Sequence, residues 1–229
     1  MTDIDLTHLA ATHDGSQPLR GYLASPPGTG PWPAVVMIHE IFGLDDVMRG
    51  HADRLADLGY LTLAVDLFSA GGTARCLVST MTAMIRGHGR AFADICAASD
   101  YLASSNDCTG KIGVIGFCIG GGFALLHARA GYDAAAVNYG QLPRHLDEIL
   151  AGACPIVASY GRRDLSLRGA ASRLDAALDK AASHAFLNDA ETGPHLLRPL
   201  LRITGIGPEP DSAKDALDRI ERFFATHLN

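Results

Sequence analysis

The chain has 229 residues, 48% hydrophobic and 19% charged, which is enough for one well-buried α/β core. A net charge of −6 with interspersed signs provides no nucleic-acid surface and no general attraction to anionic membranes. Five cysteines, at 76, 96, 108, 118 and 154, are odd in number and irregularly spaced; that fits reduced thiols in a cytosol better than a disulfide framework.

The N-terminal stretch MTDIDLTHLAATHDG has acidic residues and no apolar core, so it does not read as a signal peptide. No apolar run approaches membrane-spanning length. A cytoplasmic protein is expected. Residues 4–24 predict two short strands, IDLTHLAA and PLRGYLA, joined through HDGS as an antiparallel hairpin. A Pro/Gly-rich linker, Ser25–Pro33, follows. AVVMIH (Ala34–His39) is a continuous apolar run, the mark of a strand buried on both faces. It ends in EIFGLDD, and a helix is expected from about Val47 to Leu58, stopped by Gly59.

LTLAV (Leu61–Val65) predicts the next buried strand, ended by Asp66, with a loop over Leu67–Thr73. One or two helices are expected between Val78 and Ser104, then a turn at Asn106–Gly110. KIGVIGF (Lys111–Phe117) predicts a strand and FALLHA (Phe123–Ala128) a helical run. Later strands are expected at Ala134–Tyr139, Pro155–Tyr160 and His184–Asp189, with helices at Gly169–Ala182 and Ser212–His227. Strands and helices alternate after residue 34. The expected fold is therefore a single α/β domain over 1–229, with a mostly parallel sheet covered by helices on both faces.

The chemistry centres on the corner between the strand and helix flanking Cys118. The sequence IGFCIGGG places Cys118 in a G-x-C-x-G pattern, the thiol form of a nucleophile elbow. A buried cysteine in such a corner can also be simply a small apolar residue. A dinucleotide loop needs a different glycine spacing, and a phosphate-binding P-loop needs a Gly-Lys-Ser/Thr ending that is absent. A thiol nucleophile needs a base, and the base needs an orienting acid. The chain order Cys118, Asp164, His195 matches nucleophile, acid, histidine, each following a predicted strand. Asp164 could equally cap a helix. Asp66 is a competing acid, but it precedes the cysteine. His39-Glu40 does not extend to a zinc-protease motif, because Gly43 stands where the second histidine would be.

PWPAVVMIHEIFGLDDVMRGHADRLADLGYLTLAVDLF, IGVIGFCIGGG and SYGRRD resemble the dienelactone hydrolase family of α/β-hydrolases over nearly the whole chain. The resemblance implies a Cys118–His195–Asp164 triad and a glutamate, Glu40, that governs the thiol. It also implies an oxyanion hole of backbone N–H groups at Ile119 and near Ile41, and neither cofactor nor metal. The implied reaction is hydrolysis of an ester or lactone, most specifically an enol lactone such as a dienelactone. Another small activated ester or thioester, or a non-enzymatic ligand-binding or thiol-sensing role on the same scaffold, are the alternatives. The family's type enzymes grip the substrate carboxylate with two arginines. Here Arg198 matches the second with a shifted spacing, and Arg75, Arg86 and Arg90 compete for the first, with Arg75 taken as the candidate. Leu196 and Leu197 follow His195 where the family has a small residue and phenylalanine. Oligomeric state is not legible.

Overall fold

The computed structural model describes residues 1–143, 146–161, 167, 169–170, 177–179 and 210–229. In chain order the elements are β1 (Thr2–Asp5), α1 (Thr7–Thr12), β2 (Arg20–Ala24), β3 (Trp32–Ile38), α2 (Asp46–Asp57) and β4 (Leu61–Asp66). Then come α3 (Gly72–Arg86), α4 (Arg90–Ala103), β5 (Cys108–Phe117), α5 (Ile119–His127), β6 (Ala134–Asn138), α6 (Leu146–Leu150), β7 (Ile156–Gly161), β8 (Ala177–Asp179) and α7 (Pro210–His227). One eight-stranded sheet runs β1-β2-β4-β3-β5-β6-β7-β8. β1 and β2 pair antiparallel, β2 joins β4 antiparallel, and every other pairing is parallel.

The continuous apolar runs of β3, β4 and β5 are buried on both faces, as a covered parallel sheet demands. Alternate residues feed two cores. Val36, Ile38, Leu63 and Val114 meet Ile95 and Leu102 of α4 and Phe123 of α5. Val35, Met37, Ile115 and Phe117 meet Met48 and Leu55 of α2 and Ile220 and Phe224 of α7. Asp45 caps α2 by accepting the Met48 N–H at 3.0 Å.

Four sequence expectations change. The N-terminal strands do pair antiparallel, but a helix, not a tight turn, joins them. The residues expected as the second half of the first strand, THLAAT, form α1, with Leu6 and Ala10 buried four apart. Helix spacing there outweighs a short alternating pattern. The expected turn at Asn106–Gly110 is partly strand, because Cys108 pairs with Trp32. The helix expected over Gly169–Ala182 is contradicted at Ala177–Asp179, which pair with β7 as β8. The short helix α6 has no counterpart among the elements expected from sequence. The strand expected at His184–Asp189 lies outside the described residues.

Candidate active site

β5 ends at Phe117, α5 begins at Ile119, and Cys118 is the single residue between them. Its backbone sits at φ 55°, ψ −117°, a conformation L residues avoid. It is held there from both sides. Cys118 N–H donates to the Asn138 carbonyl at 3.0 Å, and Gly122 N–H donates to the Cys118 carbonyl at 3.3 Å. Two glycines make the turn possible. A Cβ on Gly116 would collide with the Gly120 carbonyl, and one on Gly120 would collide with the Ile38 carbonyl. The helix therefore starts in direct contact with its own strand and with the end of β3.

That second contact brings the Ile119 end of α5 against the segment that leads to Ile41. Neither the Ile41 nor the Ile119 N–H is used in a hydrogen bond among the described residues. Glu40, next to Ile41, is 3% exposed. The hydroxyl of Tyr139, one residue past β6, donates to its Oε1 at 3.0 Å. Burial first, then the neighbouring Glu40 and Cys118 charges, push the Tyr139 phenol far above its ordinary value, so it remains a donor. Tyr139 itself has φ 41°, a left-handed conformation for a bulky residue.

His39 ties this corner together. Its Nδ1 donates to the Glu40 carbonyl at 2.6 Å, and its Nε2 accepts the Leu67 N–H at 3.0 Å. Both ring positions are thus assigned, and the ring is neutral. Asp66 Oδ1 lies 3.7 Å from Nε2, but an accepting nitrogen forms no ion pair with it. Burial lowers the His39 pKa, in agreement with the hydrogen bonding. From sequence, His39 is a strand residue with no assigned role, and no motif singles out Tyr139. The signal available for Tyr139 is its place just past a buried strand, the rule that selects Glu40 and Asp66.

Cys118, Glu40, Ile41 and Ile119 thus lie at the C-terminal ends of β3 and β5. Arg75 is exposed on the first turn of α3. Asp164, His195 and Arg198 lie outside the described residues. All five cysteines are free thiols. Among the described residues no group of histidine, cysteine and carboxylate side chains could hold a metal ion. No helix there is long and apolar enough to cross a membrane.

A parallel sheet sandwiched by helices, with a strained cysteine between strand and helix at its C-terminal edge, defines an α/β-hydrolase, an enzyme of ester or lactone bonds. The sequence pattern of the dienelactone hydrolase family matches residues 19–228, and the chain belongs to that family. The chain is 34% identical to the carboxymethylenebutenolidase of Pseudomonas putida, over 52% of this chain and 54% of that one. A provisionally named carboxymethylenebutenolidase of Yersinia pestis is 26% identical over 91% of this chain and 84% of its own length. The fold matches the dienelactone hydrolase of Anabaena variabilis with a TM-score of 0.65 and 21% identity, over 93% of both chains. It matches a dienelactone hydrolase-like promiscuous phosphotriesterase from metagenomic libraries with a TM-score of 0.75 and 22% identity, over 100% and 98% of the two chains.

Proposed function

We propose that this hydrolase opens an enol lactone of the dienelactone type through a cysteinyl acyl-enzyme on Cys118. The observation that carries the reading is the strained Cys118 backbone, set at a helix N-terminus with the buried, Tyr139-bonded carboxylate of Glu40 at the end of the adjacent strand.

Chemically, the thiol must be ionised before it attacks. Glu40 accepts the thiol proton as substrate binds and passes it to His195, which, oriented by Asp164, pairs as imidazolium with the thiolate. Sγ then bonds to the lactone carbonyl carbon, and the carbonyl oxygen takes the negative charge. The Ile41 and Ile119 N–H groups donate to that oxygen, each worth roughly a hundred- to a thousandfold in rate. His195 gives a proton to the departing enolate oxygen. Water, deprotonated by His195, then attacks the thioester carbon, and the C–S bond breaks to regenerate the thiol. Arg75 and Arg198 are the candidates to hold a substrate carboxylate. The relatives named carboxymethylenebutenolidase support the lactone over other esters.

The test is turnover of a dienelactone beside a neutral aryl ester by wild type and Cys118→Ala. Lactone hydrolysis lost in the variant is expected, by at least about a thousandfold. Lactone activity surviving in Cys118→Ala removes the cysteine as nucleophile. Cysteine-dependent turnover of the aryl ester alone keeps the mechanism and discards the lactone as substrate.

A further inference from the structure

His39 is the first residue past β3 and is fully buried, and no step of the proposed reaction uses its side chain. Leu67, the first residue past β4, brings its N–H to Nε2 at 3.0 Å. A backbone N–H can only donate, so Nε2 is the bare nitrogen and the ring proton sits on Nδ1. Nδ1 lies 2.6 Å from the Glu40 carbonyl oxygen and donates to it. The plane of the ring is also held. The Phe68 ring meets the imidazole edge-on, with centroids 4.7 Å apart. Asp66 Oδ1, 3.7 Å from Nε2, is occupied by the Phe68 N–H at 2.9 Å.

The Glu40 carbonyl matters because of what stands at the other end of its peptide unit. That unit is planar and trans, so its C=O and its N–H point in opposite directions. The N–H is that of Ile41. The carbonyl accepts twice, from His39 Nδ1 and from the Gly43 N–H at 3.1 Å. The second bond closes a four-residue turn, Glu40–Gly43, in which the N–H of the second residue has no internal partner. The Ile41 N–H is accordingly unused among the described residues. The Gly43 bond moves with the turn, whereas the His39 bond ties the turn to β4 through Leu67. A donor on the carbonyl also polarises the amide, which strengthens its N–H as a donor. The backbone of His39 bears on the other proposed donor as well. A Cβ on Gly120, the neighbour of Ile119, would stand 2.7 Å from the His39 carbonyl oxygen.

We infer that His39 is a positioning residue for the oxyanion hole: as the Nδ1–H tautomer fixed by Leu67, it aims the Ile41 N–H by holding the carbonyl of the same peptide unit. The inference rests on Ile41 as a donor to a carbonyl attacked by Cys118, and gives His39 no contact with substrate. Its effect falls on the step in which the carbonyl oxygen takes up charge, not on formation of the thiolate.

The experiment compares His39→Asn, His39→Gln and His39→Leu on the dienelactone or the aryl ester, whichever wild type turns over. Asparagine puts an amide N–H at the place of Nδ1 and keeps the Glu40 bond. Glutamine reaches the place of Nε2 and keeps only the Leu67 bond. A role in stability alone makes these two variants alike, since each loses one hydrogen bond. Positioning separates them. We expect kcat to fall about a hundredfold in His39→Gln and His39→Leu, the scale of one oxyanion donor, and by less than about tenfold in His39→Asn. KM should stay within about threefold of wild type in all three. Alkylation of Cys118 by iodoacetamide, followed by peptide mass spectrometry, should keep its rate within about twofold in His39→Gln, because displacement at a saturated carbon develops no oxyanion. Equal kcat in His39→Asn and His39→Gln, or alkylation that slows in step with kcat, overturns the inference. Full turnover by Cys118→Ala is a different failure: it removes the nucleophile on which the inference rests, and the inference with it.

Discussion

At the scale of single residues, the placement of Cys118 and Glu40 just past the ends of β5 and β3 was legible because each sits in a short, specific motif. Tyr139 was not. It follows an alanine-rich strand and reads as its last residue. Only the folded chain turns it, at positive φ, onto a carboxylate 99 positions away in sequence. Its hydroxyl donates to Glu40 at every working pH, since burial and the neighbouring charges keep the phenol protonated. Tyr139→Phe should preserve the ring's packing near Phe117, whose centroid is 6.3 Å away. It removes one hydrogen bond to a carboxylate, worth about 1.5–3 kcal/mol. We expect kcat/KM on the ester substrate to fall roughly tenfold or more, with the far-ultraviolet circular dichroism unchanged. A value within twofold of wild type would show that Glu40 does not need this donor.

At the scale of elements, the order strand–Cys118–helix was readable, because glycines at a tight corner leave little else to build, although β5 begins at Cys108 rather than Lys111 and α5 at Ile119 rather than Phe123. The structure gives the reason in contacts. Gly120 lies against the carbonyls of Ile38 and His39, so a side chain there would push α5 off the end of β3. Those neighbours are backbone atoms and cannot swing aside. Gly120→Ala should therefore cost at least about 3 kcal/mol, or leave the protein insoluble, as read from urea midpoints and soluble yield. A fully soluble variant with a wild-type midpoint would refute the packing argument. α1 and β8 were misread for the opposite reason. Six residues of THLAAT and three at Ala177–Asp179 are too short for periodicity to separate helix from strand, and tertiary pairing decides them.

At the scale of the whole molecule, the alternating order of strands and helices fixed the class of fold, and the sheet places Glu40, Ile41, Cys118 and Ile119 at the C-terminal ends of β3 and β5. The same burial that builds the two cores encloses histidines whose roles no motif announces. His39 is fully buried and spans the ends of β3 and β4. His127 is 3% exposed, donates from Nδ1 to the Phe123 carbonyl at 2.9 Å, and stacks on Phe92 at 4.8 Å. Among the described residues its Nε2 has no hydrogen-bond partner. Burial lowers the pKa of both. The unfolded chain protonates these rings near pH 6.5, whereas the folded chain keeps them neutral to lower pH. Below that point the unfolded state binds more protons, so stability falls with pH until the folded-state values are reached. The slope is about 1.4 kcal/mol per pH unit for each histidine. Asp94, raised by its own burial, opposes this in part, in a window that begins near the ordinary carboxylate value of about 4 and extends upward. Urea unfolding between about pH 7.5 and pH 5.5 should therefore show a falling midpoint. His127→Leu removes one ring while retaining an apolar contact for Phe92, and it should reduce that slope by close to one proton. An unchanged slope in the variant would mean that His127 is already protonated in the fold, which its stacking and its unpaired Nε2 argue against.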